Sequence, residues 1–88
     1  MIPEFDFSLA LRLLKEGHKV TRTNWNGKGM WLEIQRPDAH SKMTRPYIFM
    51  TIPAFSSSQF GEEGAKDNRV PWLASQTDLL AEDWTTVD

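Results

Sequence analysis

Val-Pro-Trp-Leu-Ala-Ser-Gln-Thr-Asp-Leu-Leu-Ala-Glu-Asp-Trp, residues 70 to 84, places two tryptophans, a helix start signal and a polar cluster in one short run. Pro71 fixes its own φ and biases Val70 toward extended backbone, so Trp72 leaves the end of a strand or a tight corner in a defined direction. Ser75 followed three residues later by Asp78 has the spacing of a capping box, and Leu79, Leu80 and Ala81 supply the apolar side of a helix of one to two turns. Trp84 and Val87, alternating with Thr85 and Thr86, suit a last strand.

Upstream, Phe5 to Glu16 reads as a helix, with Asp6 or Ser8 as its cap and Gly17 as its stop. Phe7, Ala10, Leu11 and Leu14 fall at i, i+3, i+4 and i+7, a face that should lie on a sheet. Leu9 and Leu13 flank that face, where they either widen the core contact or serve an oligomer. Residues 18 to 23 alternate weakly and predict a first strand. The Asn26-Gly27 step is a hairpin signal because both residues tolerate positive φ, and the turn should present Trp25 and Lys28 together. Met30, Leu32 and Ile34 alternate with Trp31, Glu33 and Gln35 in a half-buried second strand. The polar stretch 36–46, bounded by Pro37 and Pro46, reads as a loop.

Tyr47 to Ile52 is a continuous β-favouring run, expected as a central strand covered on both faces. Pro53 ends it. Residues 54–69 hold three serines, two glycines and several charges, and are expected to form a flexible excursion before the 70–84 motif. The fold expected is α+β: an amino-terminal helix packed on an antiparallel sheet of four or five strands, with a short helix before the last strand, in one domain spanning 1–88.

Composition narrows the function. A net charge of −2 argues against broad binding to a nucleic acid polymer, which needs a basic stripe to release counterions. With no cysteine, disulfides, thiolate metal sites and thiol catalysis are excluded. No apolar run approaches the roughly 20 residues of a membrane span, and Pro3, Glu4 and Asp6 replace the basic start of a signal peptide, so a cytoplasmic protein without membrane attachment is expected. His18 and His40 stand too isolated for a metal site, and no cofactor fingerprint follows any strand. Asp78, Glu82 and Asp83 could be imagined as paired acids, but a cap and a solvated helix end explain them more simply, and no catalytic group is assigned.

Four tryptophans are many for so small a core to hide with every indole N–H satisfied, so one or two should face a pocket or a subunit interface. Trp25 in a glycine-rich turn, Lys28 beside it, and Trp72 ahead of Ser75, Gln76 and Asp78 suit a nucleotide-like ligand. Indole faces stack on bases, glycine turns let backbone N–H groups approach phosphate, and short polar side chains read hydroxyls and base edges. From composition alone, tryptophans that simply fill the core are the favoured reading; Trp84 in particular is assigned to the core.

The 70–84 motif, together with Leu-Lys-Glu-Gly at 14 to 17 and Trp-Asn-Gly-Lys-Gly-Met at 25 to 30, resembles the phage and prophage family of Thoeris anti-defence sponges. The likeness covers both ends of the chain, while Gln35 to Arg69 carries no family signature. It implies a protein without catalytic activity that sequesters cyclic ADP-ribose isomers, with cyclic oligonucleotides of CBASS systems as further ligands for some relatives. It also implies a homotetramer with ligand sites between subunits. On matching positions, Trp25 and Trp72 would contact bases, Asn26 and Lys28 phosphate or ribose, and Ser75, Gln76 and Asp78 would read polar groups. Arg22, Arg45 and Arg69 are candidates for phosphate neutralisation on charge alone. Two other readings stay open: a hydrolase of the same cyclic nucleotides, and a structural or protein-binding phage accessory module.

Overall fold

The first helix, α1 (Phe7–Lys15), begins where Asp6, in extended backbone, accepts the Leu9 N–H at 3.1 Å. It stops at Gly17, whose φ of +96° lets its N–H reach the Leu14 carbonyl at 3.0 Å and the His18 N–H reach that of Leu13 at 3.0 Å. These two bonds are a Schellman closure, which a residue with a Cβ would strain. The computed structural model describes residues 3–25, 29–54 and 67–87. Phe5, expected inside the helix, instead makes a two-bond bridge with Trp84, N–H to carbonyl in both directions, at 2.9 and 3.0 Å. The chain therefore enters α1 from the edge of the sheet, which fixes where the helix lands.

Among the described residues five antiparallel strands follow: β1 (Lys19–Arg22), β2 (Trp31–Gln35), β3 (Tyr47–Ile52), β4 (Asn68–Pro71) and β5 (Trp84–Val87). Their order across the sheet is β4-β3-β2-β1-β5. The short helix α2 (Gln76–Leu80) precedes β5. The architecture is the α+β arrangement the sequence predicts, with the upper of the two expected strand counts.

Strand alternation assigns the two faces of the sheet. Val20 stands opposite Leu32, and both are fully buried with Ala10 and Leu14 of α1 and with Trp84. Ile34, Ile48 and Met50 pack against this cluster, as do Phe7 and Leu13. Leu13 thus widens the core contact, while its flanking neighbour Leu9 remains 38% exposed. The opposite face carries Lys19, Thr21, Trp31 and Glu33. There the Trp31 indole N–H donates to Glu33 at 2.7 Å, and the Lys19 ammonium lies 5.1 Å from the Trp31 ring centroid.

Two expectations need correction. Residues 47–52 do form an inner strand, but not one fully covered on both faces: Tyr47 is exposed, Ile48, Phe49 and Met50 are half-buried, and within the strand only Thr51, on the face away from α1, is fully buried. The apolar continuity of the run goes with its place between two neighbouring strands. The expected excursion at 54–69 also loses its last two residues to the sheet. Asn68 and Arg69 are β4 residues, paired with Ile52 and Thr51, and the Ala54 N–H donates to Asp67 at 2.9 Å at its base. Residues 55–66 lie outside the described residues. Pro71 is tolerated in β4 because that strand is an edge.

Candidate functional site

The 70–84 run behaves locally as its residue types dictate. Trp72 follows the end of β4, its N–H held by the Ile48 carbonyl at 3.0 Å. Ser75 caps α2: its hydroxyl accepts the Asp78 N–H at 3.1 Å, and Asp78 takes the Ser75 N–H at 3.1 Å and hydroxyl at 2.9 Å in return. The last turn of α2 then supplies the Asp78 carbonyl, which accepts the Trp84 indole N–H at 3.0 Å. A fully buried tryptophan is thereby satisfied without water.

Around Trp84 the other aromatics gather. Trp25 meets it edge-on, with centroids 5.4 Å apart and planes at 78°, and Trp72 does so at 6.0 Å and 87°. Phe7 of α1 touches both Trp72, at 5.9 Å, and Trp84, at 5.2 Å. Trp25 and Trp72, the two candidate base-contacting residues, are therefore brought together indirectly, each packed on the same buried ring. Both are half-buried.

Trp25 is placed by the turn leaving β1, its N–H donating to the Arg22 carbonyl at 3.1 Å. It lines a recess of about 390 Å³ with Thr21, Arg22, Gly29, Met30 and Thr85, among others. That volume lies in the range of small-molecule sites, roughly 300–1,000 Å³. Thr21 and Thr85 are paired across β1 and β5 on the face away from α1. The Thr21 hydroxyl donates to the Met30 carbonyl at 2.7 Å, whereas the buried Thr85 hydroxyl has no hydrogen-bond partner among the described residues. Gly29, with φ of +72°, lets backbone without a side chain form part of the wall.

Behind the recess runs a charge network. The Arg22 guanidinium donates through Nε to Asp83 at 2.8 Å and through Nη1 to Asp78 at 2.9 Å, with only 9% of its side chain exposed. The hydrogen bond to Asp83, then that to Asp78, raise the Arg22 pKa further above its ordinary value against the opposing effect of burial. Burial pushes both carboxyls up, but the donors outweigh it: the Ser75 N–H and Arg22 hold Asp78 below the usual carboxylate range, and Arg22 with the Asn24 N–H does the same for Asp83. All three groups are charged at neutral pH.

The candidate residues divide accordingly. Arg22 and Trp25 share the recess, and Ser75, Asp78 and Arg22 share the network. Arg22 and Asp78, expected to face phosphate and ligand hydroxyls, are committed to each other, which makes their visible role internal. Ser75 and Gln76 are exposed on α2. Arg69 lies across the sheet on β4, in a separate shallow recess with Gln35, Tyr47 and Phe49. Arg45 is exposed in the β2–β3 connection, at the opposite end of the sheet from the Trp25 turn. Asn26 and Lys28 lie outside the described residues. Among the described residues, no group of three His, Asp or Glu side chains could hold a metal ion, and no helix is long and apolar enough to cross a membrane.

Sequence reasoning missed Asp83, read as part of a solvated helix end, together with Thr21 and Thr85. A carboxylate before the buried Trp84 was a weak signal for the first; no signal in the chain sets Thr21 opposite Thr85.

Comparison with known proteins gives two findings. A profile of the Thoeris anti-defense 2-like domain matches residues 5–87. The protein described as "Thoeris anti-defense 2" from Bacillus phage SP01 is 37% identical over 93 residues, an alignment covering 99% of this chain and 99% of that relative.

Proposed function

We propose that this chain, which belongs to the Thoeris anti-defense 2-like family, carries out its anti-defence role by binding and holding a cyclic nucleotide immune signal in the cytoplasm of the infected bacterium. The ligand class is the cyclic ADP-ribose isomers, glycocyclic ADP-ribose among them, with CBASS cyclic oligonucleotides as a second class. The observation that carries the reading is Trp25: a half-buried indole, braced edge-on by Trp84, lining a recess of about 390 Å³ partly walled by glycine backbone. A braced ring is a stacking platform that loses little freedom when a base lies on it.

The mechanism is mass action. A preorganised site holds the signal so that free ligand stays below what the defence effector needs, which demands slow release and abundant protein. No bond is broken. Trp25 and Trp72 stack on the ligand, Asn26 and Lys28 approach its phosphate or ribose, and Ser75 and Gln76 read polar groups from α2. The working form is a homotetramer with ligand sites between subunits. Leu73 at 92% exposure and Leu80 at 79% support assembly, since such side chains beside a site are more stable covered.

Calorimetric titration with glycocyclic ADP-ribose, and in parallel with cyclic di- and trinucleotides, tests the proposal. Trp25→Ala is expected to stay folded and to weaken binding by about 5- to 150-fold, the equivalent of one base stack of roughly 1–3 kcal/mol. Wild-type affinity in that variant would remove Trp25 from the site. No binding of any of these ligands to the wild type would favour a protein-binding module instead.

A further inference from the structure

We infer that Asp83, a residue with no side chain in the recess, is the positioning residue that sets Trp25 for ligand, an inference that rests on the proposed stacking role of Trp25. Its carboxylate serves two donors at once. Oδ1 accepts the Arg22 Nε–H at 2.8 Å and Oδ2 accepts the Asn24 N–H at 2.9 Å. Its own carbonyl accepts both the N–H and the hydroxyl of Thr23, each at 3.0 Å. One residue thus holds Arg22, Thr23 and Asn24, the three positions immediately before Trp25, with the single O–H proton of Thr23 shared between this carbonyl and the Glu4 carboxylate.

The other end of this clamp is anchored as firmly. Asp83 precedes Trp84, whose ring is fully buried, whose backbone pairs with Phe5 and Arg22, and whose indole N–H is bonded to α2. Arg22 continues through Asp78 into the Ser75 cap. The turn carrying Trp25 is therefore referenced to α2 and to the core through Asp83. A loop that must present an aromatic ring accurately needs such second support, because short hairpin turns otherwise keep backbone freedom that binding must remove.

Asp83→Asn separates this role from simple stability. The amide keeps the shape but offers one acceptor, so its NH2 group must face either the Arg22 Nε–H or the Asn24 N–H, donor against donor. Gly17→Ala, at a φ of +96° with open space around the added methyl, is the destabilised control away from the site. Two readouts are taken at a temperature where all variants are folded: affinity for glycocyclic ADP-ribose, and amide hydrogen exchange at Asn24. Asp83→Asn should weaken binding by about tenfold, the equivalent of a 1.4 kcal/mol loss, and speed Asn24 exchange, while Gly17→Ala changes neither.

Unchanged Asn24 exchange in Asp83→Asn overturns the clamp, and faster exchange with wild-type affinity overturns its importance for binding. Should Asp83→Asn not fold, Asp83→Glu decides in the same way: it keeps the charge but moves the carboxylate out by a methylene, so it cannot serve both donors. If the wild type binds no cyclic nucleotide, the proposed function fails, and Asn24 exchange still shows whether Asp83 holds the turn.

Discussion

Trp84→Ala is expected to lower the unfolding free energy by about 4 kcal/mol, within the range of roughly 3–5 kcal/mol for large aromatic deletions from a core. The reason lies in how many elements the side chain joins. It is 0% exposed, contacts Phe7 of α1, Trp25 of the β1–β2 turn and Trp72 of the corner, and donates to the Asp78 carbonyl of α2. A domain of this size has roughly 0.05–0.15 kcal/mol of stability per residue, so this single loss removes a large part of the total. Urea denaturation measures it. A cost under about 1 kcal/mol, the scale of an ordinary substitution, would mean that Trp84 is not the hub that packs these aromatics. Trp84→Phe keeps a ring but loses the bond to α2, and should fall between the two.

Arg22→Met is the second large effect. The substitution keeps an apolar stem but leaves Asp78 and Asp83, 14% and 23% exposed, without their shared cation. Breaking a buried pair in this one-sided way costs about 3–5 kcal/mol, and the partial exposure of the two carboxylates discounts that to about 2–3 kcal/mol here. Its pH dependence distinguishes the network from lost packing. Both aspartates have folded pKa values depressed below the ordinary 3.8. Such groups bind more protons in the unfolded chain, so their stabilisation is fully present above about that pH and is lost as pH falls through the lower folded values. The gap between wild type and Arg22→Met should be largest at neutral pH and shrink as pH falls below 3.8. A gap that stays constant from pH 7 to pH 3 would show that Arg22 contributes through its stem alone.

These effects follow from contacts of differing visibility in the chain. The capping box at Ser75 and Asp78 and the stop at Gly17 are local, decided by residues within a few positions of one another, and both are formed as their spacing predicts. Trp84, assigned to the core, is fully buried. The pairing of Arg22 with Asp78 and Asp83 spans 56 and 61 residues, and no periodicity carries such a relation, so each of the three was assigned a surface or ligand role. Strand register sets it: Arg22 stands opposite Trp84 across β1 and β5. The same limit explains β4. Its first residues, Asn68 and Arg69, have little strand preference and are extended because Ile52 and Thr51 of β3 offer them a ladder. The cover of β3 was overread because a continuous apolar run looks the same whether the strand is wholly or partly buried.

For the candidate site, the aromatic members were legible and the geometry joining them was not. Trp25 and Trp72 are conspicuous beside a glycine turn and a Pro corner. That both rest on one buried ring, and that an aspartate before that ring holds the turn, becomes visible only when β5 is placed beside β1.

On the proposed function, the protein holds its ligand without changing it. The most direct measurement is to saturate the purified protein with glycocyclic ADP-ribose, remove free ligand, denature the complex by heat and chromatograph what is released. Tight binding and recovery of the intact cyclic compound in proportion to protein are expected. Recovery of a linear product, increasing with incubation time, would contradict it and make the protein a hydrolase.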